Sequence, residues 1–86
     1  MRPLDKVIKA IKLLLPEEFD GKGDLVYELD SITESVNFSA PENLGRCWTR
    51  LIEAMNDHLG EIDTPWKQKV ADVLSTKTDY RTVLGE

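Results

Sequence analysis

"LVYELDSITESV", Leu25 to Val36, is the stretch whose reading decides the fold. Val26, Ile32, Thr33 and Val36 are β-branched, and branching at Cβ suits a pleated strand better than a helix. The spacing argues the other way. Leu25, Leu29, Ile32 and Val36 recur at steps of four, three and four, which places them on one face of a coil with about 3.6 residues per turn. The alternation that a half-buried strand needs is missing. The stretch therefore reads as a helix over about 24–36, with the Asp24 carboxylate as its N-cap and Val26 and Thr33 flanking the stripe. Asp30 and Glu34, four apart, stack as like charges, which mildly destabilises an isolated helix. A lysine from a neighbouring helix would relieve them.

Helical patterns continue on both sides. Toward the N-terminus, "PEEFDGKGD" (Pro16–Asp24) carries two glycines, a proline and acids, and reads as a loop. Phe19 is its only large apolar residue and is expected to fold back onto the core. Before it, Leu4, Val7, Ile8, Ile11, Leu14 and Leu15 form the stripe of an amphipathic helix over about 4–15. Pro3 sits in its first turn and Pro16 ends it. Lys6, Lys9 and Lys12 fall off the stripe, and Leu13 lies beside it.

Toward the C-terminus, Ser39-Ala40-Pro41-Glu42 has the pattern of a capping box. Leu44, Cys47, Trp48, Leu51, Ile52, Met55 and Leu59 then run at helical spacing, and Gly60 is placed to close that helix in a left-handed cap, giving about 40–59. Thr64-Pro65 reads as an N-cap followed by proline at the first helical position, opening a helix over about 65–76 with Trp66, Val70, Val73 and Leu74 inward. In the tail 77–86, Thr78 could cap a short fifth helix whose Tyr80, Val83 and Leu84 grip the core, or the tail could fray. The expectation is a single all-α domain over 1–86, either a four-helix bundle or a small orthogonal array.

With 86 residues and 9.8 kDa, the chain should expose about 5,000 Å² of roughly 14,000 Å² unfolded. That supports one modest core, and leaves little room for a deep substrate pocket within a single copy. No apolar run is long enough to span a bilayer. Lys6, Lys9 and Lys12 break the apolar character that a signal peptide needs, so a cytoplasmic protein is expected. The single cysteine, Cys47, excludes an internal disulfide and a thiolate zinc site.

No constellation for chemistry emerges. His58 is the only histidine, close to Glu53, Asp57 and Glu61. The di-metal bundle motif wants Glu three residues before the histidine, and that position is Met55. The simpler reading places His58 in a last helical turn, where the helix dipole favours it. Cys47 lies on the inner stripe, with Arg46 and Arg50 turned away from the stripe's centre, and a buried thiol is inert. His58 is eleven residues further along the same helix, about 16 Å away by the helical rise, too far to serve as its base. A G-x-S-x-G elbow, a P-loop and a calcium loop are all absent. Neither a catalytic residue, nor a metal, nor a cofactor is expected.

Charge is the least ordinary feature. The net charge is −5. Residues 1–15 hold Arg2, Lys6, Lys9 and Lys12 against Asp5, whereas 16–38 hold Glu17, Glu18, Asp20, Asp24, Glu28, Asp30 and Glu34 against Lys22 alone. Such a segment is either a solvated surface or a docking face that steers a basic partner. The leading expectation is a non-enzymatic domain that binds a protein through Glu17, Glu18, Asp20, Asp24, Asp30 and Glu34, with Tyr27 and Trp66 as aromatic anchors. The basic first helix and the acidic segment could also meet between two copies as a homodimer. An acidic inhibitor of phage or plasmid type that mimics nucleic acid is the alternative. Binding of nucleic acid by the first helix is a further one, disfavoured by the acidic balance. No motif identifies a family.

Overall fold

The Leu25–Val36 stretch is helical. In the computed structural model, which describes residues 3–38, 40–75 and 83–85, it lies inside a helix running from Lys22 to Phe38. Leu25, Leu29, Ile32 and Val36 are fully buried on one side. Energetics explain why spacing wins over propensity. A poor helix former costs at most about 0.7 kcal/mol, while burying each of these side chains contributes about 1.5–3 kcal/mol. The polar residues that would compete with the ladder are absorbed by it: the Thr33 and Ser35 hydroxyls donate back to the carbonyls of Leu29 and Ser31 at 3.0 and 3.2 Å.

Four helices follow in order: α1 (Pro3–Leu14), α2 (Lys22–Phe38), α3 (Leu44–Leu59) and α4 (Pro65–Leu74), with a 3₁₀ turn at Pro41–Asn43 leading into α3. The fold is all-α, and no strand occurs among the described residues. Helix α1 packs against both α2 and α4, and α2 packs against α3 on its other side. Between α3 and α4, Met55, Leu59, Val70 and Leu74 border a gap of about 90 Å³. The core gathers Ile8, Ile11, Leu25, Leu29, Ile32, Val36, Leu51, Val70 and Val73, all essentially inaccessible. Phe19 returns onto it as expected, and Val83 and Leu84 pack against it from the tail. The radius of gyration, 12.3 Å, matches the roughly 12 Å expected for this length.

Several boundaries and caps differ from the sequence expectation. Helix α2 begins at Lys22, so Asp24 is a first-turn residue and not the cap. The reason is Gly21, whose φ of +90° turns the chain while its carbonyl accepts from Leu25 N–H at 3.0 Å. Helix α1 ends at Leu14, one residue early, and Leu15 remains buried beyond it. Helix α3 begins at Leu44 and not near Ala40, because residues 41–43 form the tighter 3₁₀ turn, closed by Asn43 N–H donating to Ala40 carbonyl. The capping role assigned to Ser39, and the roles of Thr78 and Tyr80, fall outside the described residues. Gly60 ends α3 with φ +60° and ψ −129°, a positive φ that favours glycine but not the left-handed helical basin. Thr64 stands at the N-cap of α4, yet its hydroxyl makes no cap bond. Helix α4 stops at Leu74, where Ser75 N–H closes the last turn on Ala71.

Lys67 stitches the α3–α4 connection. Its ammonium donates to the Leu59 carbonyl at 2.9 Å and pairs with Asp63 at 3.1 Å. The carbonyls at a helix C-terminus lack intrahelical donors and carry the negative end of the dipole, so a lysine there satisfies both needs.

Candidate functional site

The acidic segment divides by location. Glu17, Glu18 and Asp20 stand exposed on the turns between α1 and α2, and Asp24 is exposed in the first turn of α2. Together with Phe19, Lys22 and Val26, the first three border an open hollow of about 610 Å³. Glu17 accepts a 2.8 Å hydrogen bond from the Lys22 ammonium. That bond, and then the attraction of the charge itself, hold the Glu17 carboxyl below its ordinary pKa.

The rest of the segment lies along α2, whose sides have different duties. Glu28 turns toward α3 and meets His58, Oε2 to Nε2 at 3.0 Å. This cross-helix contact was not legible from the local pattern around His58. Asp30 turns toward α1 and pairs with Lys12, which relieves the like-charge stacking with Glu34. The outermost side carries Tyr27, Glu34 and Phe38, with Ser31 among them. Tyr27 is 79% and Phe38 85% exposed. Eleven residues is close to three turns, so the two rings stand within about 20° of one direction and about 16 Å apart along the axis. Phe38 was missing from the sequence reading, although its spacing from Tyr27 was the available signal. Glu34 lies between the rings, and no ion pair among the described residues engages it.

Trp66 does not join this face. It is half-buried against the core, its ring 5.0 Å from that of Phe19 at 54°, with the Lys67 ammonium 5.8 Å from its centroid. The structure thus separates the expected anchors: Tyr27 is open to solvent, and Trp66 is committed to packing.

Elsewhere, Cys47 is buried and carries no disulfide. Arg46 and Arg50 are exposed; with Ser35, Asn43 and Cys47 they border a hollow of about 280 Å³, and Arg50 donates to Ser35 Oγ at 3.0 Å. No group of three metal-ligating side chains occurs among the described residues. No helix there is long and apolar enough to cross a membrane.

Two buried side-chain atoms among the described residues have no hydrogen-bond partner, Oδ1 of Asp5 and Oγ1 of Thr64. Leaving such an atom unpaired costs about 1–3 kcal/mol, more where it is charged. Asp5 is only 8% exposed. It borders a hollow of about 500 Å³ between α1 and α2, with Ile8, Lys9, Lys12, Thr33 and Asn37. Its place three residues before Ile8, at the edge of the apolar stripe, is the sequence signal for its burial.

No protein-family model matches the chain, and no curated protein or solved structure does either. Function must therefore be argued from the residues themselves.

Proposed function

We propose that this is a small non-enzymatic helical domain that binds a basic protein segment on the outer face of α2 and the adjoining acidic turns. The observation that carries the reading is the pair of rings, Tyr27 and Phe38, standing in solvent on one side of α2 with Glu34 between them. Large aromatic side chains anchor interfaces because each covers much area with few torsions to freeze. An acid between two such anchors selects a basic complement. Glu17, Glu18, Asp20 and Asp24 extend the negative field around the start of the helix and would accelerate encounter. The complement is an amphipathic segment presenting apolar residues to the rings and a lysine or arginine to Glu34.

The test uses isotope-labelled protein and a synthetic amphipathic peptide with lysine and arginine along one stripe. Amide shifts should concentrate at Tyr27, Ser31, Glu34 and Phe38. Glu34→Lys and Tyr27→Ala should each weaken binding about tenfold, a loss of about 1.4 kcal/mol. Both positions are exposed, so the fold should survive both changes. Asp30 is left alone because its reversal would break the pair with Lys12. Shifts scattered over the whole surface, or equal affinity in both variants, would remove the reading. Leu13, 62% exposed on α1 near Lys9, gives a second copy the same apolar and basic character, so self-association is the rival. Sedimentation without peptide separates the two.

A further inference from the structure

The hollow between α1 and α2 has an order to its polar groups. The helices run antiparallel, and Lys12 pairs with Asp30 across them. Three residues back along α1 stands Lys9, and three residues forward along α2 stands Thr33. Four further in each direction stand Asp5 and Asn37. The chain thus sets Asp5 level with Asn37 and Lys9 level with Thr33, around an apolar floor at Ile8. The Lys12–Asp30 pair closes one end.

The groups in this hollow are incompletely used. Oδ1 of Asp5 is buried without a partner, in a residue more than nine-tenths removed from solvent. Native structures pair nearly all such atoms, and an exception calls for an explanation, of which a bound donor is one. Lys9 holds no ion pair among the described residues. Thr33 spends its hydroxyl proton on the Leu29 carbonyl, so its oxygen is left as an acceptor. Asn37 can donate or accept. The volume, about 500 Å³, lies within the range of small-ligand sites.

Charge selects the ligand. A bare cation that satisfied Asp5 would meet the ammonium of Lys9 one turn away. A bare anion drawn by Lys9 would meet the Asp5 carboxylate. A molecule with an ammonium at one end and a carboxylate at the other has no like-charge contact in either place. The four-carbon stem of Lys9 can adjust to its length, and the Asp5 carboxyl can turn about its broad terminal torsion to face the cavity. We propose that this hollow binds a small apolar α-amino acid, its ammonium on Asp5, its carboxylate on Lys9 and its side chain over Ile8. The site is separate from the outer face of α2 and does not depend on the reading given for that face.

The experiment is a titration of the labelled full chain with free leucine and two truncated relatives: isoamylamine, which lacks the carboxylate, and isocaproic acid, which lacks the ammonium. Leucine should give saturable amide shifts at Asp5, Ile8, Lys9 and Asn37, and each truncated compound should bind at least about tenfold more weakly, as loss of one charged contact implies. Asp5→Asn and Lys9→Met should each weaken leucine binding by a similar factor. Circular dichroism melts establish that both variants are folded, and the exposed position of Lys9 keeps that arm readable if Asp5→Asn is not. Absence of saturation by leucine at about 10 mM overturns the proposal. So does equal binding by isoamylamine, which would make the hollow a simple cation site, or unchanged leucine affinity in a folded Lys9→Met.

Discussion

Thr64→Val should stabilise this protein, although threonine before a helix-opening proline is ordinarily a residue that stability depends on. A threonine N-cap replaced by an apolar residue costs about 0.5–2 kcal/mol, because the hydroxyl accepts from an orphan N–H of the first turn. Here that bond is absent: Thr64 has the extended backbone of an N-cap, φ −139° and ψ 157°, but its hydroxyl makes no cap bond. The oxygen is buried and unpaired. Valine keeps the shape and the β-branching while removing the unpaired oxygen, so the expected change is a gain of about 1 kcal/mol. For a domain of this size that corresponds to a rise in melting temperature of about 4–8 °C. Gln68 N–H already reaches the Thr64 carbonyl at 3.1 Å, a backbone bond that the substitution leaves in place. Thermal and urea unfolding of both proteins measure the difference. A loss of about 1 kcal/mol would mean that the hydroxyl caps α4 in solution, and the reasoning from burial would be refuted.

Two further outcomes follow from local geometry. Lys67→Met should cost about 1.5–3 kcal/mol in urea unfolding, the worth of a hydrogen bond from a charged donor, because the side chain is only 15% exposed and donates to the end of α3. Asp63→Asn, which removes only the solvent-exposed partner, should cost less than about 1 kcal/mol; equal losses would place the energy in the ion pair and not in the carbonyl. In a carbon-detected titration, Glu17 should ionise below the ordinary glutamate value, and Lys22→Met should return it toward that value, since Lys22 is the cause of the lowering. Because the folded value is the lower one, whatever this contact adds to stability is present above the unfolded carboxyl range and is lost as pH falls through the folded value; an unmoved titration in Lys22→Met would contradict the assignment.

The fold was legible because apolar spacing is a local record of which side is buried. Leu25, Leu29, Ile32 and Val36 announce both the helix and its inner face, whatever their β-branching. Helix ends were less legible because they depend on competing local bonds of about 1 kcal/mol each. Asp24 could have capped α2, but Gly21 turned the chain three residues sooner. Partners between helices were the least legible. The Lys12–Asp30 pair was foreseeable because the stacked acids needed a cation and α1 offered several. Glu28 with His58, thirty residues apart, had no such clue. Trp66 and Tyr27 look alike as aromatic candidates in the sequence. Only the fold separates them, since Phe19 returns from the α1–α2 loop to cover one and nothing covers the other.

Asp5 and Thr64 present the same anomaly, and their surroundings give it opposite meanings. Thr64 borders neither the hollow at Asp5 nor the gap between α3 and α4. Its hydroxyl is buried at the N-cap of α4 without making the cap bond, so its burial is a stability defect that an apolar isostere removes. Asp5 borders a hollow along which a cation, an amide and a hydroxyl oxygen are set at regular steps on two helices. An apolar residue at position 5 would extend the stripe of Leu4, Ile8 and Ile11, but it would remove an acid from the first turn of α1, where the helix dipole favours one. Keeping its oxygen buried without a partner still costs stability. Binding residues impose such costs because a group kept unpaired in the free protein is the group that a ligand satisfies.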